Sequence, residues 1–123
     1  MTRRPSNKEL FNKIKQGKEF AEAGEIRLVD PDVIAIDAAK LGYRAKNLQS
    51  VCSELLEEVK IEHYVGAHPP RKSYEPLIKD CELFEFKWTS RKFGCDVYLK
   101  YCLRGGTFYL VSLHEDRPKT PSL

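Results

Sequence analysis

In three stretches, Glu82 to Thr89, Cys95 to Leu103 and Thr107 to His114, apolar and polar residues alternate with a period of two, a pattern that fits β-strands and little else. Phe84, Phe86 and Trp88 fall on one side of a first strand, Glu85 and Lys87 on the other. In a second, Cys95, Val97, Leu99, Tyr101 and Leu103 alternate with Asp96, Tyr98, Lys100 and Cys102. In a third, Thr107, Tyr109, Val111 and Leu113 alternate with Phe108, Leu110, Ser112 and His114. Arg104-Gly105-Gly106 joins the last two. The length of that turn decides which faces agree, because a slip of one residue turns every side chain over. A two-residue Gly-Gly turn pairs Arg104 with Thr107 and Val97 with His114, which sends His114 to the apolar face. A three-residue loop with a glycine bulge pairs Leu103 with Thr107 and Asp96 with His114, and joins apolar face to apolar face. The second register gives a coherent core and is the expectation. It predicts a small antiparallel meander whose other face displays Glu85, Lys87, Tyr98, Lys100, Ser112 and His114.

The residues before the meander read as helices. Ser6 and Glu9 form a capping box, and Leu10, Phe11, Ile14, Phe20 and Ala21 follow near helical spacing to a stop at Gly24, predicting a helix over 7–22. Glu25 to Val29 is a short extended link. Asp30-Pro31 is an N-cap followed by a proline at the first helical position, and Gly42 ends that helix after Leu41. Leu48, Val51, Cys52, Leu55, Leu56 and Val59 make the cleanest amphipathic stripe, over 47–60, and Ile61 to Val65 has strand character. Gly66 to Pro76 holds three prolines and a glycine and cannot be regular structure. It is basic and aromatic, as a substrate-contacting loop or a plain connector would be. The 123 residues are enough for one core. The expected fold is a single α+β domain over 1–123, N-terminal helices packed on one face of a small antiparallel sheet, with 1–5 and 117–123 as flexible tails.

No apolar run approaches the length of a membrane span, and no signal-peptide apolar region follows Met1-Thr2-Arg3-Arg4-Pro5, so a cytoplasmic protein without a membrane partner is expected. Cys52, Cys81, Cys95 and Cys102 include no C-x-x-C pair, and His63, His68 and His114 complete no zinc spacing. Reduced, packed thiols are expected and no metal. Charge is uneven: residues 1–18 carry six basic groups against Glu9, whereas 19–62 carry ten acidic groups against five basic ones. Residues 71–119 carry ten basic groups against seven acidic ones. Basic flanks around an acidic middle suit a surface for a polyanion, and equally a solvated, ion-paired surface.

A carboxylate, cations, a tyrosine and a histidine on one sheet face suit RNA cleavage without a metal. A glutamate can take the 2′-hydroxyl proton, a histidine can protonate the leaving 5′-oxygen, and lysine or arginine can hold the phosphate. Aromatic rings can stack on single-stranded bases. A sheet face simply turned to water has the same pattern.

Several short stretches, in order over about residues 10–116, resemble the MqsR-type mRNA interferase toxins of the RelE-like group of bacterial toxin–antitoxin modules. They are Ala23-Gly24-Glu25-Ile26-Arg27, Ala39-Lys40-Leu41-Gly42, His63-Tyr64-Val65, Leu83-Phe84-Glu85-Phe86, Asp96-Val97-Tyr98-Leu99-Lys100 and Val111-Ser112-Leu113-His114-Glu115. The resemblance implies a RelE-like fold, the toxin half of a type II pair, and an endoribonuclease acting on mRNA, free or on the ribosome. Its partner would be a cognate antitoxin protein, and no cofactor is implied. Position by position, the family's catalytic tyrosine falls on Tyr98, its glutamine on Glu85, its C-terminal lysine on His114 and its first lysine on Val65. Glu85 is then the expected base, His114 the acid and Tyr98 the residue that orients or stacks the substrate. Lys87, Lys100, Arg71, Lys72 and His68 are the expected substrate contacts, since Val65 cannot clamp a phosphate. The alternative is a non-catalytic RNA-binding or partner-binding module on the same fold.

Overall fold

The structure is a computed structural model and describes residues 6–67 and 69–116. The expected tails, 1–5 and 117–123, and His68 lie outside the described residues. Three α-helices and a four-stranded mixed sheet make an α+β fold in which the helices precede the meander. Helix α1 spans Asn7–Glu22, and the Ser6 hydroxyl accepts from the Glu9 amide. Strand β1, Ile26–Leu28, leads into α2, Pro31–Leu41. The Asp30 carboxylate caps α2 by accepting from the Val33 amide, and Gly42 closes it at a φ of 90°, a left-handed conformation that glycine adopts without a Cβ clash. Helix α3 spans Leu48–Glu58. The strands of the meander are β2, Phe84–Ser90; β3, Cys95–Arg104; and β4, Thr107–Glu115.

The sheet order is β1-β4-β3-β2, with β1 parallel to β4 and the other pairs antiparallel. The expected sheet was antiparallel throughout, and Glu25 to Val29 was expected only as a link. The link instead becomes an edge strand, Ile26 opposite Phe108 and Leu28 opposite Leu110. Ile61 to Val65 is not a strand. Ile61–His63 is a short 3-10 turn, and a single bridge joins Tyr64 to Phe86 at the β2 edge.

The β3–β4 register differs from the expected one. Gly105 and Gly106 form a two-residue turn with φ of 58° and 78°, so that Arg104 faces Thr107 and Tyr101 faces Leu110. The ladder then shifts between Tyr101 and Lys100, which faces Ser112, and Tyr98 faces His114. One extra residue in β4, Val111, absorbs the shift as a β-bulge. The turn alone would send His114 to the core face, and the bulge returns it. Between turn and bulge the faces are the reverse of those expected. Phe108 and Leu110 enter the main core, and Tyr109 and Val111 turn to the other side.

The main core lies between the helices and one sheet face. Leu10 and Ala21 of α1, Ile34 of α2 and Val51, Cys52, Leu55 and Leu56 of α3 meet Phe84, Phe86, Trp88, Val97, Leu99 and Tyr101. The Tyr101 ring stacks on Phe108 at 4.8 Å between centroids, and its hydroxyl donates to the Lys13 carbonyl at 3.1 Å. At Gly17 an added Cβ would stand 3.3 Å from the Tyr101 ring and 3.4 Å from Phe108, so glycine lets α1 approach that pair. At the end of α3, Glu58 accepts from the Trp88 indole and from the Lys92 amide, fastening the β2–β3 turn to the helix layer.

The second face is not open along its whole length. A smaller cluster of Ile78, Cys81, Cys102 and Tyr109, with Val29, Leu83 and Val111 packed against it, covers the end nearest the glycine turn. Residues 71–83 fold back over this end. The Ser73 amide donates to the Cys81 carbonyl, the Leu83 amide donates to the Arg71 carbonyl, and Lys72 bridges Glu82. Cys102, read as part of the polar face, is therefore buried.

Candidate functional site

Beyond the smaller cluster the second face is polar. Alternation in β2 and β3 puts Glu85 opposite Lys100 and Lys87 opposite Tyr98, and the bulge in β4 puts Ser112 opposite Lys100 and His114 opposite Tyr98. All six residues expected to share a face do so.

Tyr98 is at the centre. Its hydroxyl donates to Glu85 Oε1 at 2.5 Å. Its ring stacks against the His114 imidazole, with centroids 5.1 Å apart, and Lys100 Nζ stands 5.9 Å from its centroid. Partial burial, reinforced by the hydrogen bond to Glu85 and that carboxylate's charge, raises the phenol pKa well above its ordinary value. The Arg71 charge pulls it the other way, more weakly. Tyr98 therefore stays a neutral donor across the physiological range.

Glu85 accepts one hydrogen bond in this network, and a carboxylate with two oxygens retains further accepting sites. The Val65 amide donates to the Glu85 carbonyl at 2.9 Å, which ties the segment after the 3-10 turn to the β2 edge. Tyr64 turns into the core, so its neighbour Val65 stands on the side of Glu85, 50% exposed. His114 Nδ1 lies 3.0 Å from the Glu115 carbonyl oxygen. When Nδ1 carries a proton it donates to that carbonyl and fixes the ring, leaving Nε2 for a second group.

The expected cations divide. Lys100 stands over the Tyr98 ring, and the Arg71 charge lowers the phenol pKa from a distance. Lys87 pairs with Asp116 at 3.0 Å and brings less free charge than expected. Lys72 is exposed on the returning loop, with no contact to Glu85, Tyr98 or His114 among the described residues. Asp116 was missed, although its period-two spacing from His114 puts it on the same side. So were Asp37 and Lys40 of α2, which line a cleft with His114, Glu115 and Asp116. No sequence spacing relates α2 to the end of β4, so only tertiary packing reveals that cleft.

Among the described residues no group of three or more His, Cys, Asp or Glu side chains is arranged to hold a metal ion. All four cysteines are reduced thiols. Among the described residues no helix is long and apolar enough to cross a membrane. Compared with protein-family models and with curated proteins, the sequence matches none.

Proposed function

We propose that this chain is a metal-independent endoribonuclease that cleaves mRNA in the cytoplasm, the toxin of a type II toxin–antitoxin pair built on a RelE-like fold. The observation that carries the reading is the contact row Glu85–Tyr98–His114 across three strands of one accessible face. Glu85 and His114 are two strands and two residues apart in register. Their Cα atoms are thus about 12 Å apart, from spacings of about 4.8 Å between strands and 3.4 Å along them. Tyr98 spans the interval between them, so a phosphate lying over its ring would have the Glu85 carboxylate at one end and the His114 imidazole at the other.

In the proposed reaction the Glu85 carboxylate takes the proton of a 2′-hydroxyl. The freed oxygen bonds to the adjacent phosphorus, and the bond from phosphorus to the 5′-oxygen breaks. The His114 imidazolium donates a proton to that leaving oxygen while Nδ1 holds the Glu115 carbonyl. Lys100 and Arg71 offset the negative charge that develops on the phosphate. Tyr98, held neutral, orients Glu85 and offers its exposed edge to a base. A cognate antitoxin protein would be the partner that covers this face.

A second reading, a non-catalytic RNA-binding or partner-binding module, is favoured by two observations. Val65 stands where the resembling toxins carry a lysine, and Lys87 is already paired with Asp116. One experiment separates the readings. Purified protein is incubated with RNA in the presence of a chelator. The proposal expects fragments ending in a 2′,3′-cyclic phosphate and a 5′-hydroxyl, and His114→Ala slowing their formation by roughly 10²- to 10⁴-fold, the usual worth of a positioned proton donor. Equal cleavage by His114→Ala would overturn the assigned mechanism. RNA bound but never cut, alone or on ribosomes, would favour the second reading.

A further inference from the structure

Helix α2 is apolar on two sides, and only one of them is covered. Ile34 and Ala38 are buried on the β4 side. On the opposite side Ile36 is 58% exposed and Val33 46%, with Ala35 and Ala39 also exposed. Helix α3 shows the ordinary arrangement, turning Gln49, Ser50, Glu54 and Glu57 to solvent. A helix with apolar residues on every side is normally covered on every side.

The charges around this patch indicate what covers it. Asp32 and Lys40 are both exposed and lie four residues before and after Ile36, about 6 Å along the axis in each direction. If a second α2 lies antiparallel across the first, with a two-fold axis at Ile36, each Asp32 comes level with the other copy's Lys40. Each Val33 comes level with an Ala39, and Ile36 meets its own copy. A parallel arrangement would set like charge against like. The patch is therefore complementary to itself in one orientation, as a two-fold interface requires.

We propose that the outer face of α2 is a self-association surface, on which a second copy of this chain docks its own α2 antiparallel, centred on Ile36. The surface does not depend on the proposed activity. An 11-residue helix is about 16 Å long, so the contact falls short of the roughly 1,200 Å² typical of stable complexes, and dissociation is expected on the order of 10⁻⁴ M.

Sedimentation equilibrium of the whole chain, from about 10 µM to 1 mM, tests this around the expected midpoint. The average mass should rise above the 14.2 kDa monomer with concentration. Ile36→Glu should hold it at the monomer value with an unchanged circular dichroism spectrum. Asp32→Lys should weaken association by about tenfold, since two attractive pairs become repulsive. Combining Asp32→Lys with Lys40→Asp should restore wild-type behaviour, which merely disturbed folding would not do. A wild-type mass that stays monomeric, or a double exchange that recovers nothing, would overturn the proposal and leave the face to a different protein.

Discussion

Tyr98 joins the two ends of the polar row, and its hydroxyl is the most exacting test of how that row is held. The phenol is half-buried and donates a hydrogen bond to Glu85 at 2.5 Å. A hydrogen bond to a charged acceptor contributes about 1.5–3 kcal/mol, so Tyr98→Phe should lower stability by that amount in urea denaturation. The same substitution in a Glu85→Ala background should cost almost nothing, because the acceptor is already gone. An equal loss in both backgrounds would show that the hydroxyl is stabilised by something else. At this scale most of the site was legible in the sequence. Glu85, Tyr98, Lys100, Ser112 and His114 could be placed on one face because alternation has only two outcomes. What stayed hidden were the pairings that long side chains choose: Lys87 with Asp116 rather than with an incoming anion, and Tyr98 with Glu85. Those choices depend on which groups the register brings within a few ångströms.

Strand β4 shows how a correct face can follow from an incorrect register. A three-residue loop and a two-residue turn followed by one bulge have the same parity beyond the bulge, so both put His114 on the polar side. They differ by two positions in its partner, Asp96 in the expected ladder and Tyr98 in the structure. Nothing local marks Val111 as the extra residue; it is set by the need to bury Phe108 and Leu110 against α1 and Tyr101 while keeping Leu113 in the same core. The ladder on both sides of Val111 is already in phase. Its deletion should therefore leave Tyr98 opposite His114, seen as a retained cross-strand proton contact in NMR. It should cost only Val111's packing against the smaller cluster, about 1–2 kcal/mol. Loss of the Tyr98–His114 contact would mean that the bulge itself sets the register. The helices were read more fully because their signals are local: Ser6 with Glu9, Asp30 with Pro31, and Gly42 each act within one turn. Strand β1 escaped because three residues carry no period, and their partner lies some 80 positions along the chain.

At the scale of the whole molecule, the core holds acidic protons that an unfolded chain would release. Burial pushes the Cys52 thiol up to about 12, and burial with the nearby Cys81 does the same for Cys102. Burial also raises the phenols of Tyr43 and Tyr101. These groups favour folding fully below their ordinary pKa values of 9.0 for the thiols and 10.0 for the phenols. That contribution is lost as pH rises through the native values, because the folded state then binds more protons than the unfolded one. Stability should fall above pH 9 by an amount on the order of 1 kcal/mol per pH unit for each thiol. The urea midpoint measured at about pH 8 and about pH 10.5 reads this directly, and an unchanged midpoint would show that the thiols titrate normally. The smaller cluster under residues 71–83 also bears on how the molecule meets a ligand. Ile78 and Cys81 anchor that loop, and the bonds from Leu83 to Arg71 and from Ser73 to Cys81 close it on itself. The backbone under Arg71 thus gives up its conformational entropy when the chain folds, so in the proposed reaction a phosphate arriving at Tyr98 would have only the arginine's side-chain rotamers left to immobilise.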